Sequence, residues 1–144
     1  MQGIVFKWID RNRYILNVVL ALIAVGIEVF YSICGGACSY LSGNLFGIDL
    51  QYIGIAFMAL IILLSIMKKG LLLILALSIG VGIEAYLVGF QVWYDTYCPY
   101  CLVFGGILMV MFFLNLRKAE IKNAIICMAA GLILFAIFFK GSAT

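Results

Sequence analysis

A chain of 144 residues with 67% hydrophobic and 10% charged side chains lies far below the roughly 25% charge of a soluble globular domain, which excludes water as its main solvent. The net charge of +3 comes from short basic clusters beside apolar runs, with no stripe of interleaved aromatics, so it points to membrane lipid and excludes nucleic acid as a partner. The sequence contains no histidine, which removes both the usual general base and the commonest zinc ligand.

In chain order, Met1 to Asn12 reads as a short cytoplasmic tail, because the first apolar run is too long for a signal peptide and lacks a small-residue cleavage site behind it. Apolar runs between polar breaks predict spans at Tyr14–Cys34, Leu50–Met67, Leu71–Val92, Cys98–Leu116 and Asn123–Phe139. Each is long enough to cross a hydrocarbon core of roughly 30 Å as a helix. The polar interval from Gly35 to Asp49 has room for no more than a short structured loop. The expected fold class is all-α, a single polytopic transmembrane bundle over residues 1–144, with a four-helix core and a fifth transmembrane helix.

Lysines and arginines orient the bundle. Lys7, Arg11 and Arg13 precede the first span, Lys68 and Lys69 join the second to the third, and Arg117, Lys118 and Lys122 join the fourth to the fifth. By the positive-inside rule those intervals are cytoplasmic, so the amino terminus is inside and the carboxyl terminus outside. Cys34, Cys38, Cys98 and Cys101 then fall on the extracytoplasmic side, where disulfides persist. Cys127, within the fifth span, reads as a small packing residue.

Cys98-Pro99-Tyr100-Cys101 is the most informative stretch. Two thiols spaced by two residues at a helix start can close a small disulfide, and the helix amino terminus stabilises the first thiolate. Pro99, the only proline, suits the first turn, where its missing N–H breaks no helical bond. Cys34-Gly35-Gly36-Ala37-Cys38 supplies a second pair with glycines that let the sulfurs meet or part, as a flexible shuttle requires. The rival reading of the four outer cysteines is an all-thiolate metal site, in a soft-metal carrier or transporter.

Glu28 and Glu84 close two similar segments, Val25-Gly26-Ile27-Glu28 and Val81-Gly82-Ile83-Glu84, inside the first and third spans. An ionisable group there is costly enough to suggest a role: either proton transfer to a bound substrate or a protonated carboxyl bonding a neighbouring helix. Trp93, Tyr94, Tyr97 and Tyr100 read as an interfacial aromatic belt. Phe46 and Phe104 are the further candidates to wall an apolar ligand pocket, whereas Gly80, Gly82, Gly89, Gly105 and Gly106 read as helix-packing positions.

Taken together, Cys38-Ser39, Phe46-Gly47-Ile48 leading to Gly54, and Cys98-Pro99-Tyr100-Cys101-Leu102, in that order over roughly Leu16 to Leu116, resemble the prokaryotic form of the vitamin K epoxide reductase family. The resemblance implies a quinone-dependent thiol-disulfide oxidoreductase with the role of a DsbB-like oxidase, multi-pass in a prokaryotic inner membrane. It implies Cys101 as the thiolate that meets the quinone, Cys98 as its disulfide partner, and Cys34 with Cys38 as the relay, Cys38 exchanging with Cys98. Ubiquinone or menaquinone is the implied cofactor, with Ser39 near the quinone or the reactive sulfur and Asp49 and Gln51 as nearby polar candidates to bind it. The implied partner is a separate thioredoxin-like, DsbA-like protein, because the sequence given carries no fused one. The loop cysteines here are closer together than in those relatives, and no residue matches the polar group that binds the quinone carbonyl in the animal enzymes.

Overall fold

The computed structural model describes residues 2–34, 41–95 and 97–143, without the side chains of residues 34, 41–44 and 140–143. Five helices dominate: α1 (Gln2–Cys34), α2 (Leu50–Ile66), α3 (Gly70–Trp93), α4 (Pro99–Asn115) and α5 (Ile121–Phe138), the last preceded by a 3-10 turn at Lys118–Glu120. The helices α1 to α4 form a ring in which each touches the next and α4 returns to α1, while α5 packs on the outside of α3. This is the expected membrane-type helical bundle.

The side-chain pattern is that of a bundle in an apolar solvent. Ala21, Ala24, Met58, Ile61, Leu73, Ile74, Leu77 and Met111 are sealed in the centre, yet large apolar residues such as Leu22, Phe30, Leu63, Leu72, Phe113 and Ile133 face outward. Outward apolar residues are unremarkable when lipid is the solvent, and close packing and interhelical polar bonds then hold the helices together. Asn17 and Asn115 supply such a bond, each amide donating to the other's oxygen at 3.0 and 2.9 Å. Ser65 and Ser78 satisfy their buried hydroxyls on carbonyls one turn back, at Ile61 and Ile74.

Three helical stretches are long and apolar enough to cross a membrane: α1, α3, and Lys118 through the end of α5. Helices α2 and α4 have 17 residues each, or about 26 Å at 1.5 Å per residue, short of a hydrocarbon core of about 30 Å. Both begin at the cysteine end, so that end of the ring is recessed. Their ends lie within a residue or so of the predicted spans, as do those of α3. The larger departure is α1, which is helical from Gln2, whereas Met1 to Asn12 was expected to be a tail. Between Gly3 and Gly26 no glycine or proline interrupts the chain, so the charges of Lys7, Asp10 and Arg11 mark a change of solvent and not an end of the helix.

A small antiparallel sheet, which the sequence did not announce, covers the recessed end. Strand β1 (Leu41–Leu45) pairs with β2 (Ile48–Asp49) and with β3 (Phe139–Ala143), in the order β2-β1-β3. Phe46 and Gly47 make the two-residue turn with φ of 56° and 83°, the positive pair that a tight hairpin of this kind requires. The opposite end gathers the basic clusters: the Tyr14 hydroxyl reaches the Lys68 carbonyl at 3.5 Å, and Arg13, Gly70 and Arg117 line one cavity.

The closest helix contact is between α3 and α5. A Cβ on Gly82 would collide with the Met128 carbonyl, and one on Gly131 would stand 2.5 Å from the Ile79 carbonyl. Gly80 likewise admits Phe57, whereas Gly89 and Gly106 meet nothing within 4 Å, so only part of the expected glycine set packs helices. Gly82→Ala and Gly131→Ala are each expected to cost about 1–3 kcal/mol through overpacking, and Gly89→Ala to be neutral or slightly stabilising. Thermal unfolding of the purified variants in one detergent checks this; equal midpoints for Gly82→Ala and Gly89→Ala would refute the close crossing.

Candidate functional site

Helix α4 starts at the recess with Cys98 as its N-cap and Pro99 in its first turn. A helix that begins beside apolar walls must satisfy its leading N–H groups internally. The Cys98 N–H donates to Gln91 Oε1 at 2.8 Å, and the Cys101 N–H donates to Cys98 Sγ at 3.4 Å. Gln91 is 1% exposed and comes from the last turns of α3, so one buried amide ties the end of α3 to the start of α4.

The two cysteines of this turn have different surroundings. Cys98 is fully buried, packed with Leu87 and Phe135 and flanked by Tyr31, Tyr100 and Phe139. It stands at the head of the helix as its N-cap, with its sulfur toward the Cys101 N–H. Cys101, one turn into the helix, lines a cleft instead. Both are free thiols in this structure.

The cleft has a volume of about 100 Å³ and is bounded by all five helices. Its walls are chiefly apolar, from Leu50, Phe57, Ile83, Leu87, Phe104 and Phe135, and its polar members are Glu28, Tyr31, Gln51, Glu84 and Cys101. The volume is a third or less of a drug-sized pocket, which suits one small flat group whose remainder lies outside. Glu28 and Glu84 are both buried, and Glu84 Oε2 has no hydrogen-bond partner among the described residues. Glycines make room for both acids: a Cβ on Gly54 would stand 3.4 Å from the Glu28 carboxyl carbon, and one on Gly105 would stand 2.9 Å from Glu84 Oε2.

The residues singled out from sequence thus divide. Cys101, Phe104, Gln51, Glu28 and Glu84 border one cleft, with Cys98 directly behind it. Phe46 is exposed on the hairpin turn and packs on Phe138 at 4.9 Å, away from the cleft. Asp49 is exposed as the N-cap of α2, makes no side-chain cap bond and does not line the cleft. Cys38, Ser39 and the Cys34 side chain lie outside the described residues. Trp93, Tyr94 and Tyr97 are exposed at the recessed end, as an interfacial belt would be, but Tyr100 packs inward on Phe30 and Tyr31. Cys127 is half-buried in α5, remote from the cleft. The two Val-Gly-Ile-Glu segments direct their glutamates into the same cleft, although Gly82 carries a helix crossing and Gly26 meets nothing.

Sequence reasoning missed Gln91 and Tyr31. Gln91 had a readable signal, since an uncharged amide near the end of an apolar span, seven residues before Cys98, is itself costly in a membrane unless bonded. Tyr31 had none, because a tyrosine near a membrane interface reads as an anchor.

No protein-family model, no curated protein and no solved structure matches the chain. The functional reading therefore stands on the residues and their arrangement.

Gln91→Leu leaves the buried Cys98 N–H without an acceptor and is expected to cost about 1–3 kcal/mol, measured as a lowered unfolding midpoint in detergent. Gln91→Glu keeps an acceptor oxygen and is expected to lose less. An unchanged midpoint for the leucine variant would show that the bond contributes nothing.

Proposed function

We propose that the protein is a membrane thiol-disulfide oxidoreductase of the vitamin K epoxide reductase type. It oxidises a separate extracytoplasmic, thioredoxin-like (DsbA-like) protein and passes the electrons to a membrane quinone, ubiquinone or menaquinone, as its accepting substrate. The observation that carries this reading is the asymmetry of the CxxC pair. Cys101 borders an apolar cleft with two carboxyls, and Cys98 is sealed behind it with its sulfur accepting the Cys101 N–H. A metal carrier would have no evident use for such a division.

The cleft fits a quinone headgroup on the chemistry of its donors. Phe57 and Phe104 offer flat apolar faces, Gln51 an amide, and Glu84 a carboxyl oxygen with no hydrogen-bond partner among the described residues. Electrons enter from the partner's dithiol, which reduces the Cys34–Cys38 disulfide by exchange. The Cys38 thiolate then attacks Cys98 in the Cys98–Cys101 disulfide, and a second exchange within the loop pair leaves Cys98 and Cys101 as thiols. Cys101 gives its electron pair to the ring, Cys98 attacks the Cys101 sulfur, and the disulfide re-forms as quinol departs. Two electrons and two protons leave the thiols and two of each reach the quinone. Glu84 and Glu28, on the cleft wall, are the groups available to carry the protons.

The basic clusters at the end opposite the cysteines orient the site toward the outside of a prokaryotic inner membrane. Membrane-impermeant maleimide applied to spheroplasts is expected to label Cys38 in a variant lacking the other cysteines; labelling only after permeabilisation would reverse the topology.

Quinone reduction driven by a reduced thioredoxin-like protein tests the function. Cys101→Ala and Cys38→Ala are each expected to abolish turnover, and normal rates in both would end this reading. Glu84→Gln is expected to slow quinone reduction on the order of 10²-fold while leaving disulfide exchange with the partner intact. Equal rates with and without the Glu84 carboxyl would remove it from the proton path.

A further inference from the structure

At the end of the bundle away from the cysteines lies a second cavity, of about 240 Å³, between α1, α3 and the α4–α5 connection. We propose that it holds the phosphodiester of a membrane phospholipid headgroup. The cavity is lined by Arg13, Tyr14, Gly70, Leu71, Arg117 and Glu120, together with Asn115, whose amide is engaged by Asn17. The site is independent of the redox reading and shares no residue with the cleft.

Arg13 carries the argument. It is 9% exposed, the one buried cation among the described residues. Its Nη2 donates to the Tyr14 hydroxyl at 2.8 Å, and its guanidinium carbon lies 4.8 Å from the centre of the Tyr14 ring. Both of these partners are neutral, and a guanidinium has five N–H donors to place. A buried charge needs a counter-charge, and breaking such a pair is among the most destabilising changes a protein can suffer. The remaining donors face a cavity large enough for a phosphate group.

Three further features fit an anion there. Arg117 contributes a second guanidinium, the side-chain type that grips phosphate oxygens two at a time. The amino terminus of α3 opens on the same space through Gly70 and Leu71, its N-cap Lys69 makes no side-chain cap bond, and the first N–H groups of any helix have no acceptor within it. Gly70 permits this approach, because a Cβ there would stand 3.2 Å from the Tyr14 hydroxyl and 3.3 Å from Arg13 Nη2. Glu120 opposes an anion and sets its charge: two guanidiniums against one carboxylate leave one positive charge, which matches a phosphodiester monoanion better than a dianion.

Depth selects lipid as the source. The 24 residues of α3 extend about 36 Å against a hydrocarbon core of about 30 Å, so Gly70 lies at headgroup level. Leu71 and Leu72, next along the helix, are each 52% exposed and offer apolar surface to the acyl chains below.

The test is native mass spectrometry of the purified full chain with phosphatidylglycerol, with diacylglycerol of the same chains, and with inorganic phosphate. Phosphatidylglycerol is expected to be retained and to raise the unfolding midpoint, and diacylglycerol to do neither. Arg117→Gln, a change at an exposed residue, and Arg13→Gln are each expected to weaken lipid retention roughly tenfold, whereas Lys7→Gln leaves it unchanged. Equal retention of diacylglycerol, or undiminished retention in both arginine variants, overturns the site. Inorganic phosphate that stabilises as strongly as the lipid overturns the lipid assignment in favour of a free anion.

Discussion

In a membrane no backbone polar group can be left to solvent, and that constraint shapes the cysteine end of this bundle. Helix α4 begins beside buried apolar side chains, where its leading N–H groups need acceptors within the protein. Gln91 and the Cys98 sulfur take up two of those donors. The same bonds fix where Cys98 and Cys101 stand, because a cap residue and the residue three beyond it fall on one face of the first turn. The CxxC pair is therefore held by the bonds that let this helix start among apolar side chains.

The recess has a second consequence. Since α2 and α4 both start low, the first turns of two helices, bearing Gln51 and Cys101, border a space that full-length helices would fill. Gly54 and Gly105 then admit the Glu28 and Glu84 carboxyls into its wall. The sheet made by β1, β2 and β3 extends this cover, with Leu45 and Phe139 packed beside Cys98.

Much of this was legible in sequence, and the reasons are local. The limits of α2, α3 and α4 followed from the breaks at Asp49, Lys68-Lys69, Asp95 and Arg117, where composition changes within two or three residues. The cleft members Cys101, Phe104, Gln51, Glu28 and Glu84 were each visible as a reactive, aromatic or costly polar residue in an apolar run. What was not legible depends on distant pairing. Strand β3 has no strand signal of its own and exists because β1 offers it an edge. Phe46 looked like a pocket wall, but it occupies a positive-φ turn position and packs on Phe138. Asp49 precedes α2 and remains in solvent. The start of α1 was misjudged because polarity was read as an end of helix, when no glycine or proline between Gly3 and Gly26 ends it.

The unequal cysteines follow from one helical turn. A residue at the N-cap receives the field and the N–H groups of the helix start, so a thiolate there is favoured, while a residue three positions on is past those donors. Cys98 accordingly has its sulfur turned to the Cys101 N–H and its back to Leu87 and Phe135, and only Cys101 reaches the cleft. A ligand in the cleft would meet one sulfur alone, and the proposed function gives the other the part of attacking that sulfur. Exchanging the roles would require the buried thiol to cross the helix start, against the bonds that allow α4 to begin where it does.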